Sequence, residues 1–222
     1  FAKKMRFVTM DEMEEWLKLG EKFSARGAKL YDKVEIDPDA LATIFFTSGS
    51  TGKAKGVMLS HRNLAHNVVC AYHCWKTNEK DSWLSILPMA HTYEMSIGFL
   101  YPFYVGACVH YLGRAMSTSI LMNALKEVKP TTMLTVPLII EKVVKSNIIP
   151  TIKRSVLLSW MEKRMPRILY RIVGKRLKKT FGGRVKFFGV GGAKLNTDVE
   201  LYLRKLHFPY AIGYGMTEAA PL

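Results

Sequence analysis

The amino-acid sequence predicts an α/β fold, with layered sheets and helices on both faces. Runs of apolar and β-branched residues, typical of buried strands, alternate along the chain with segments whose apolar residues recur at helical spacing. Such alternation favours a sheet with parallel strand pairs that is covered on both sides. The chain of 222 residues can bury a proper core, and its hydrophobic fraction of 49% and charged fraction of 23% are ordinary for a globular protein.

Each expected element follows from its residue pattern. A helix with an acidic start is predicted over residues 10–25. Apolar and β-branched runs predict strands over residues 41–47, 57–59, 82–87, 107–112, 132–136 and 185–190. Helical spacing predicts helices over residues 60–75, 94–104, 119–128 and 137–145, the first with Ser60 as its N-cap.

Composition indicates a cytoplasmic protein. No signal peptide is visible, the cysteine count of three is odd, and Cys70 and Cys74 are poorly spaced for a bridge on one helix. A reducing compartment is therefore expected. Residues 95–113 form a run of 19 without Asp, Glu, Lys or Arg, near the length that a bilayer requires. Because Gly98 and Pro102 interrupt this run, a helix, a turn and a buried strand are predicted rather than a membrane span.

The segment 47–56, TSGSTGKAKG, carries the densest chemical signal in the chain. Its glycines let the backbone adopt positive φ angles and approach a ligand closely. Successive N–H groups can then form an anion-binding concavity, to which hydroxyls and an ammonium group add donors. We therefore predict a phosphate-binding loop. Its candidate ligand-binding residues are Thr47, Ser48, Gly49, Ser50, Thr51, Gly52, Lys53 and Gly56.

This loop is not of the Walker A type. That motif needs Ser or Thr for Mg²⁺ directly after its Gly-Lys pair, whereas Ala54 follows Gly52 and Lys53, and Thr47 stands at the position of its first glycine. The expected order is strand, loop, strand and helix, which also differs from a Walker arrangement. A plain surface hairpin is the simpler alternative, but such hairpins rarely combine so many lysines and hydroxyls beside a buried strand.

Together with three further blocks, the loop resembles the adenylate-forming (AMP-binding) superfamily. These blocks are LPMAHTYE at 87–94, GVGGA at 189–193 and GYGMTE at 213–218, and the pair Val136-Pro137 also fits. The His-x-Tyr-Glu form of the first block is closest to long-chain fatty acid–CoA ligases. The family usually has proline where Ala54 stands. The resemblance implies that residues 1–222 are the incomplete, central part of a large N-terminal adenylation domain, without its opening subdomain and the small C-terminal domain.

The resemblance also implies roles for individual residues. Lys53 would contact the β- and γ-phosphates of ATP, Thr217 the α-phosphate, and Tyr214 the adenine ring. Glu218 would bind Mg²⁺, a hard cation that prefers oxygen ligands, and His91 would lie near the acyl carboxylate. The candidate catalytic residues are thus His91, Thr217 and Glu218. The candidate nucleotide-binding residues outside the loop are Gly191, Gly192, Ala193, Gly213, Tyr214, Gly215 and Thr217.

The implied reaction is the activation of a fatty acid by ATP to acyl-AMP, followed by transfer to CoA. Taken alone, residues 1–222 are expected to be inactive, because the family's catalytic lysine and ribose-binding Asp have no candidate after Glu218. The alternatives are a fatty acyl-AMP ligase, a luciferase-like or peptide-synthetase adenylation domain, and a non-enzymatic membrane-surface module.

The last alternative arises from the basic segment, residues 152–184. This segment has eleven Lys or Arg and a single acid, Glu162, so its net charge is +10 of the chain's +15. Apolar residues alternate with the cations, and Pro166 is expected to split the segment into two helices. Basic amphipathic helices suit an anionic membrane surface, and a solvated helix pair is the equally weighted alternative. Nucleic acid is not expected as a partner, since no recognisable binding fold is present.

Overall fold

The computed structural model describes residues 10–27, 33–48, 52–112 and 116–221. The chain divides into two compact units, residues 1–37 and 38–222. In the first unit, a short 3₁₀ turn, Met10–Glu12, leads into helix α1, Met13–Ala25. This agrees with the helix predicted over residues 10–25.

The second unit begins with an antiparallel hairpin. Strand β1, Leu41–Thr47, pairs with strand β2, Lys55–Ser60, so that Thr47 lies opposite Lys55 at the loop. Helix α2, His61–Cys74, follows at once. Its N-cap is Ser60, whose side chain accepts a hydrogen bond from the backbone N–H of Asn63 while the Asn63 side chain accepts one from Ser60 N–H. The predicted order of strand, loop, strand and helix is therefore confirmed.

A five-stranded sheet forms the centre of this unit. Its strands are β3 (Ser82–Ser85), β4 (Cys108–Tyr111), β5 (Thr132–Thr135), β6 (Phe187–Val190) and β7 (Tyr210–Ile212). They lie in the order β4-β3-β5-β6-β7, and each neighbouring pair is parallel. The sequence predicted the first four within two residues at each end, and it missed β7.

Helices connect the strands. They are α3 (Tyr101–Tyr104), α4 (Thr118–Val128), α5 (Pro137–Val143), α6 (Ile149–Arg154), α7 (Val156–Arg164), α8 (Pro166–Thr180) and α9 (Thr197–Lys205). Two π-helical stretches, Glu94–Leu100 and Val144–Ile148, lead into α3 and α6. The helix predicted over residues 137–145 therefore continues to Arg154, and α9 was not predicted. Pro166 begins α8, as expected.

The core covers both faces of the sheet. Successive strand residues belong to different hydrophobic clusters: Leu84, Met133 and Phe188 pack with α4, α5, α8 and α9, whereas Trp83 and Leu134 pack with α2 and α3. Such alternation is what a pleated strand with two buried faces requires. The predicted helices on both faces are confirmed.

The uncharged run folds as the predicted helix, turn and strand, but the strand is not buried: β4 lies at the edge of the sheet, and its end residues Cys108 and Tyr111 are exposed. Its described part, residues 95–112, contains most of the first π-helical stretch, α3, a turn and β4. Across the described residues, every helix is too short or too polar to cross a bilayer.

Candidate functional site

The predicted phosphate loop closes the β1–β2 hairpin. Gly49, Ser50 and Thr51 lie outside the described residues. Gly52 has a φ of +76°, and a Cβ built on it would meet no atom within 4 Å. Lys53 beside it is exposed. Space around a positive-φ glycine and an adjacent ammonium group is the setting that a bound phosphate needs.

Gly56 serves the hairpin itself. It lies in β2 opposite Phe46, and a Cβ at this position would approach the Ile44 Cγ2 atom to 2.9 Å. A larger residue would therefore push the two strands apart next to the loop. This close packing accounts for the glycine without a direct ligand contact.

A cavity of about 900 Å³ opens at the carboxyl ends of the parallel strands. In open parallel sheets this edge is where ligands bind. Most of the lining is apolar and comes from segments that follow different strands: Ile86, Leu87, Pro88, Met89, Leu112, Met116, Val136, Leu138, Ile139, Met216 and Pro221. Few polar side chains interrupt it. They are Ser85, His91, Thr92, Tyr93, Tyr111 and Thr217.

Several predicted site residues line this cavity. His91 follows β3 and donates its backbone N–H to the Pro88 carbonyl, 3.0 Å away. Gly191 and Gly192 follow β6, and the Gly191 N–H donates to Thr135 O at 3.0 Å. Thr217 begins a 3₁₀ turn, Thr217–Ala219, after β7. Gly213 and Gly215 complete the set. The fold thus brings together residues that are 126 positions apart, from His91 to Thr217.

Eight described residues among those predicted for the site lie outside the lining: Thr47, Ser48, Gly52, Lys53 and Gly56 of the hairpin, and Ala193, Tyr214 and Glu218. Ala193 and Glu218 are exposed, and Tyr214 is 93% exposed, so its ring is open to solvent on both faces. No group of three His, Cys, Asp or Glu side chains that could hold a metal occurs among residues the structure describes. An isolated exposed carboxylate such as Glu218 fits Mg²⁺ that arrives with a nucleotide, because Mg²⁺ commonly uses one or two carboxylates plus phosphate oxygens.

The hairpin and the Thr217–Ala219 turn belong to one packed body. Phe45, Leu59, Leu64 and Ala220 form a shared buried cluster. Asn67 of α2 donates its side-chain amide to Ala219 O at 3.0 Å, and the Ser96 hydroxyl donates to Ala220 O at 2.7 Å. These contacts hold the turn at a defined distance from the strands that flank the predicted phosphate loop.

The ring of Tyr93 lies so close to two glycines of the GVGGA block, Gly189 and Gly191, that little space remains for a side chain at either position. A Cβ on Gly189 would lie 2.6 Å from the Tyr93 hydroxyl oxygen, and one on Gly191 would lie 3.1 Å from its Cε1 atom. The tyrosine therefore packs directly on the backbone of β6 and its following turn. Sequence reasoning assigned no role to Tyr93, although it lines the cavity.

Glu94 is a further residue whose environment the sequence did not reveal. Its side chain is 1% exposed, and the Ser85 hydroxyl donates to its Oε1 atom. Burial raises the pKa of Glu94 to about 7, against a smaller opposite effect of the Ser85 hydrogen bond. Burial and then the neighbouring Glu94 charge also raise the pKa of Tyr93. The inner wall of the cavity therefore contains a buried acid that gains or loses its proton near pH 7.

The model of the AMP-binding enzyme family matches residues 3–222. The chain belongs to the AMP-binding enzyme family. The resemblance that the four sequence blocks indicated is thereby confirmed.

Curated relatives of the family are similar to this chain over most of its length. Long chain acyl-CoA synthetase 6, peroxisomal, of Arabidopsis thaliana is 32% identical over 203 residues, covering 82% of this chain and 28% of the relative. Long-chain-fatty-acid–CoA ligase 4 of Saccharomyces cerevisiae is 32% identical over 218 residues, covering 86% of this chain and 30% of the relative. The chain thus spans under a third of the length of these relatives. The predicted closeness to long-chain fatty acid–CoA ligases is confirmed.

A solved structure supports the fold. The o-succinylbenzoate CoA synthetase of Bacillus subtilis matches with a TM-score of 0.62 and 22% sequence identity, covering 83% of this chain and 31% of the other. At this identity the likeness concerns the fold, and it agrees with the α/β architecture that the sequence predicted.

Proposed function

We propose that the protein is an ATP-dependent acid–thiol ligase that converts a fatty acid into its CoA thioester. The observation that carries this proposal is the apolar cavity of about 900 Å³, with polar groups such as His91 and Thr217 among its lining. Clefts of this kind, mostly apolar with few convergent polar groups, suit a small ligand that is largely hydrocarbon. The long-chain ligases among the relatives support a fatty acid as that ligand.

In the proposed reaction, a carboxylate oxygen of the acid attacks the α-phosphorus of ATP. The new P–O bond forms acyl-AMP, and pyrophosphate leaves with its electron pair. The thiol of CoA then gives up its proton to solvent, and its sulfur attacks the acyl carbonyl carbon. The bond between that carbon and the phosphate oxygen breaks, and AMP departs with the electron pair. Within this scheme His91 orients the carboxylate, and Thr217 donates a hydrogen bond to the α-phosphate, because both side chains line the same cavity.

The phosphates would be held at the hairpin. Lys53 supplies a positive charge, and the backbone around Gly52 can approach phosphate oxygens without steric hindrance. Glu218 would hold Mg²⁺, which would offset the negative charge of the triphosphate. Tyr214 would stack on adenine with its exposed ring. The described cavity lining suggests no CoA site.

Acid-dependent exchange of pyrophosphate into ATP by the intact enzyme tests this proposal. A panel of saturated acids, aryl acids and amino acids should show exchange with fatty acids, and addition of CoA should yield acyl-CoA. Exchange without thioester formation would favour a fatty acyl-AMP ligase. Exchange with amino acids or aryl acids alone would favour another kind of adenylation domain and contradict the proposal.

We also propose that the basic segment, residues 152–184, contacts an anionic membrane surface. The supporting observation is a set of exposed apolar side chains among the cations: Val156, Leu157, Trp160, Ile168 and Ile172. They occur at helical spacing on α7 and α8. Exposed aliphatic and tryptophan side chains flanked by Lys and Arg suit the boundary between lipid headgroups and acyl chains.

The single acid of the basic segment does not neutralise its cations. Glu162 accepts hydrogen bonds from the hydroxyls of Tyr170, at 2.9 Å, and Tyr202, at 3.4 Å. In the part of the chain that the structure describes, no Lys or Arg of the segment is in a salt bridge. The positive charge therefore stays available to an external partner, and an anionic lipid surface fits both this charge and the apolar side chains. A cytoplasmic enzyme attached to the inner face of a membrane would meet its fatty acid there.

Co-sedimentation with vesicles tests the membrane contact. Each cation near an anionic surface contributes up to about 1 kcal/mol, and salt screens the attraction. Reversal of Lys175, Arg176, Lys178 and Lys179 to Glu should abolish binding to vesicles that contain phosphatidylserine. The matched control reverses four exposed lysines elsewhere: Lys76, Lys80, Lys126 and Lys129. Equal sedimentation of both variants would leave a solvated helix pair as the better explanation.

A further inference from the structure

A buried carboxyl–hydroxyl pair lies at the wall of the cavity. Ser85 is the last residue of β3 and lines the cavity, and its hydroxyl is hydrogen bonded to Oε1 of Glu94. Glu94 begins the π-helical stretch Glu94–Leu100 that follows the loop after β3. The proposed reaction, as set out above, uses neither side chain.

Within the described residues, the carboxyl group of Glu94 is in no salt bridge. Its Oε2 atom has no hydrogen-bond partner, and no cation is paired with it among the residues described in the structure. The titratable groups that face it are the phenols of Tyr93 and Tyr111, whose pKa values are raised by burial and then by the Glu94 charge. A buried carboxylate without a cation is costly, so the neutral acid is favoured.

The absence of a side chain at Gly98 leaves space for the carboxyl group of Glu94. A Cβ on Gly98, four residues later, would lie 2.5 Å from the Glu94 Cδ atom and 2.8 Å from Oε2. A glycine at this position therefore leaves the space that the carboxyl group occupies. The pocket for the buried acid is built by the local sequence, whereas its hydroxyl partner comes from a neighbouring strand.

The protonation state of Glu94 determines whether the Ser85 hydroxyl can donate a hydrogen bond into the cavity. A protonated carboxyl group has one O–H donor, and a hydroxyl group has another. When Glu94 is neutral, its O–H can donate to Ser85, so the Ser85 hydrogen can point into the cavity. When Glu94 is ionised, the Ser85 hydrogen is the only one in the pair and is retained by the carboxylate. At this part of its wall, the cavity then faces the lone pairs of Ser85 and a nearby negative charge, and the pair offers it no hydrogen-bond donor.

We propose that Glu94 is a positioning residue for the acid substrate: in its neutral form it turns the Ser85 hydroxyl into a hydrogen-bond donor toward an oxygen of the bound acid. This inference rests on the proposed function, because the ligand is the carboxylic acid of that reaction. Ionisation of Glu94 removes the donor and adds repulsion toward an anionic substrate. Glu94 therefore controls the affinity for the acid more than the rate of the chemical steps.

The test compares the intact wild-type enzyme with Glu94→Gln and a matched control, Glu79→Gln, which neutralises an exposed acid. The assay is pyrophosphate exchange with a soluble fatty acid between pH 6 and pH 8. The wild type and the control should show a KM for the acid that rises about tenfold over this range, as expected for a group that titrates near pH 7. In Glu94→Gln the KM should stay nearly constant, while the pH dependence of kcat is shared by all three.

Ser85→Ala supplies a second variant for the same assay. Because the Ser85 hydrogen bond lowers the pKa of Glu94, its loss should move the rise in KM to higher pH. It should also raise the KM at pH 6, where the wild-type donor is present. Identical KM profiles in wild type and Glu94→Gln would overturn the inference, even if exchange with fatty acids is robust.

Thermal unfolding separates this inference from the proposed function. The pKa of Glu94 is higher in the folded than in the unfolded state, so wild-type stability should fall as pH rises from about 4.5 to about 7. Glu94→Gln should lose this slope, whether or not the enzyme activates fatty acids. An unchanged slope would show that Glu94 is not held neutral, and would overturn the inference without reference to activity. Absence of exchange with a changed slope would instead count against the proposed function.

Discussion

The hydroxyl oxygen of Tyr93 lies only 2.6 Å from the position that a Cβ on Gly189 would occupy. Leu134 Cδ2, at 2.8 Å, closes the same space from the neighbouring strand. The glycine in the middle of β6 thus lets an aromatic wall of the cavity pack directly on the sheet.

Substitution Gly189→Ala should therefore destabilise the protein by about 1–3 kcal/mol, the usual cost of overpacking a dense core. Urea unfolding monitored by tryptophan fluorescence measures this change. Adding Tyr93→Phe should restore part of the loss, since it removes the nearest atom. Gly20→Ala in α1 is the matched control, because no atom lies within 4 Å of its added Cβ. Equal effects at Gly189 and Gly20 would contradict the packing argument.

Substitution Lys53→Ala should weaken ATP binding by the intact enzyme. A charge-assisted hydrogen bond contributes about 1.5–3 kcal/mol, or roughly one to two decades in affinity. Lys53 is exposed and lies in a loop, so the melting temperature should hardly change. Lys76→Ala, at another exposed position, serves as the control in a calorimetric titration with ATP. Unaltered affinity in Lys53→Ala would remove this residue from the phosphate site.

Substitution Glu218→Gln should raise the concentration of Mg²⁺ that is needed for adenylation. The amide keeps the shape of the side chain but lacks the charge that a hard cation prefers. The measurement is the midpoint of a Mg²⁺ titration of pyrophosphate exchange at saturating ATP. Glu127→Gln, on the exposed side of α4, provides a control for the loss of one negative charge. A midpoint that does not move would indicate a structural role for Glu218.

The ion pair between Lys186 and Asp81, at the start of the sheet, should make the stability of the fold depend on pH in the acid range. Lys186 Nζ lies 2.8 Å from Oδ1 of the buried Asp81, with the lysine 62% exposed. Burial alone would raise the pKa of Asp81, but hydrogen bonds from Lys186 and the Asn78 backbone outweigh it and lower the pKa. The resulting stabilisation is present above the usual Asp value of 3.8 and is lost as pH falls through the lowered value.

Substitution Lys186→Met should reduce the loss of folding stability that occurs as the pH falls. Because the lysine is largely in solvent, the pair is expected to contribute at most about 1 kcal/mol at pH 7. Urea unfolding at pH 3 and pH 7 gives the difference, with Lys126→Met as a control at an exposed helical position. An equal loss of stability in wild type and Lys186→Met between these pH values would show that the ion pair contributes little.

Local patterns were sufficient for much of the fold. Strand β1 has the predicted bounds, Leu41–Thr47, and α2 begins after the predicted N-cap, Ser60. Both are set by short-range chemistry: a run of apolar and β-branched residues in one case and a capping box in the other. The alternation of strands with helices along the chain correctly predicted that the sheet contains parallel strand pairs.

Elements that depend on distant neighbours were missed. Strand β7 has three residues, Tyr210–Ile212, and becomes a strand because it pairs with β6 at the edge of the sheet. The π-helical stretch Glu94–Leu100 has no periodicity that distinguishes it from an ordinary helix.

The sequence by itself determined the chemical character of the candidate site. The hydroxyls, glycines and lysines of the loop at 47–56 are adjacent along the chain, so their residue types predict phosphate binding without a fold. The roles of Thr217 and Glu218 were predicted from the family resemblance of the block GYGMTE at 213–218. Tertiary structure decided which side chains form the cavity and how Glu94 and Glu162 behave. Glu162 accepts hydrogen bonds from tyrosines of two other helices, α8 and α9, and the burial of Glu94 likewise arises from packing between elements. The free energy of a charge depends on everything that surrounds it, and only the folded chain defines those surroundings.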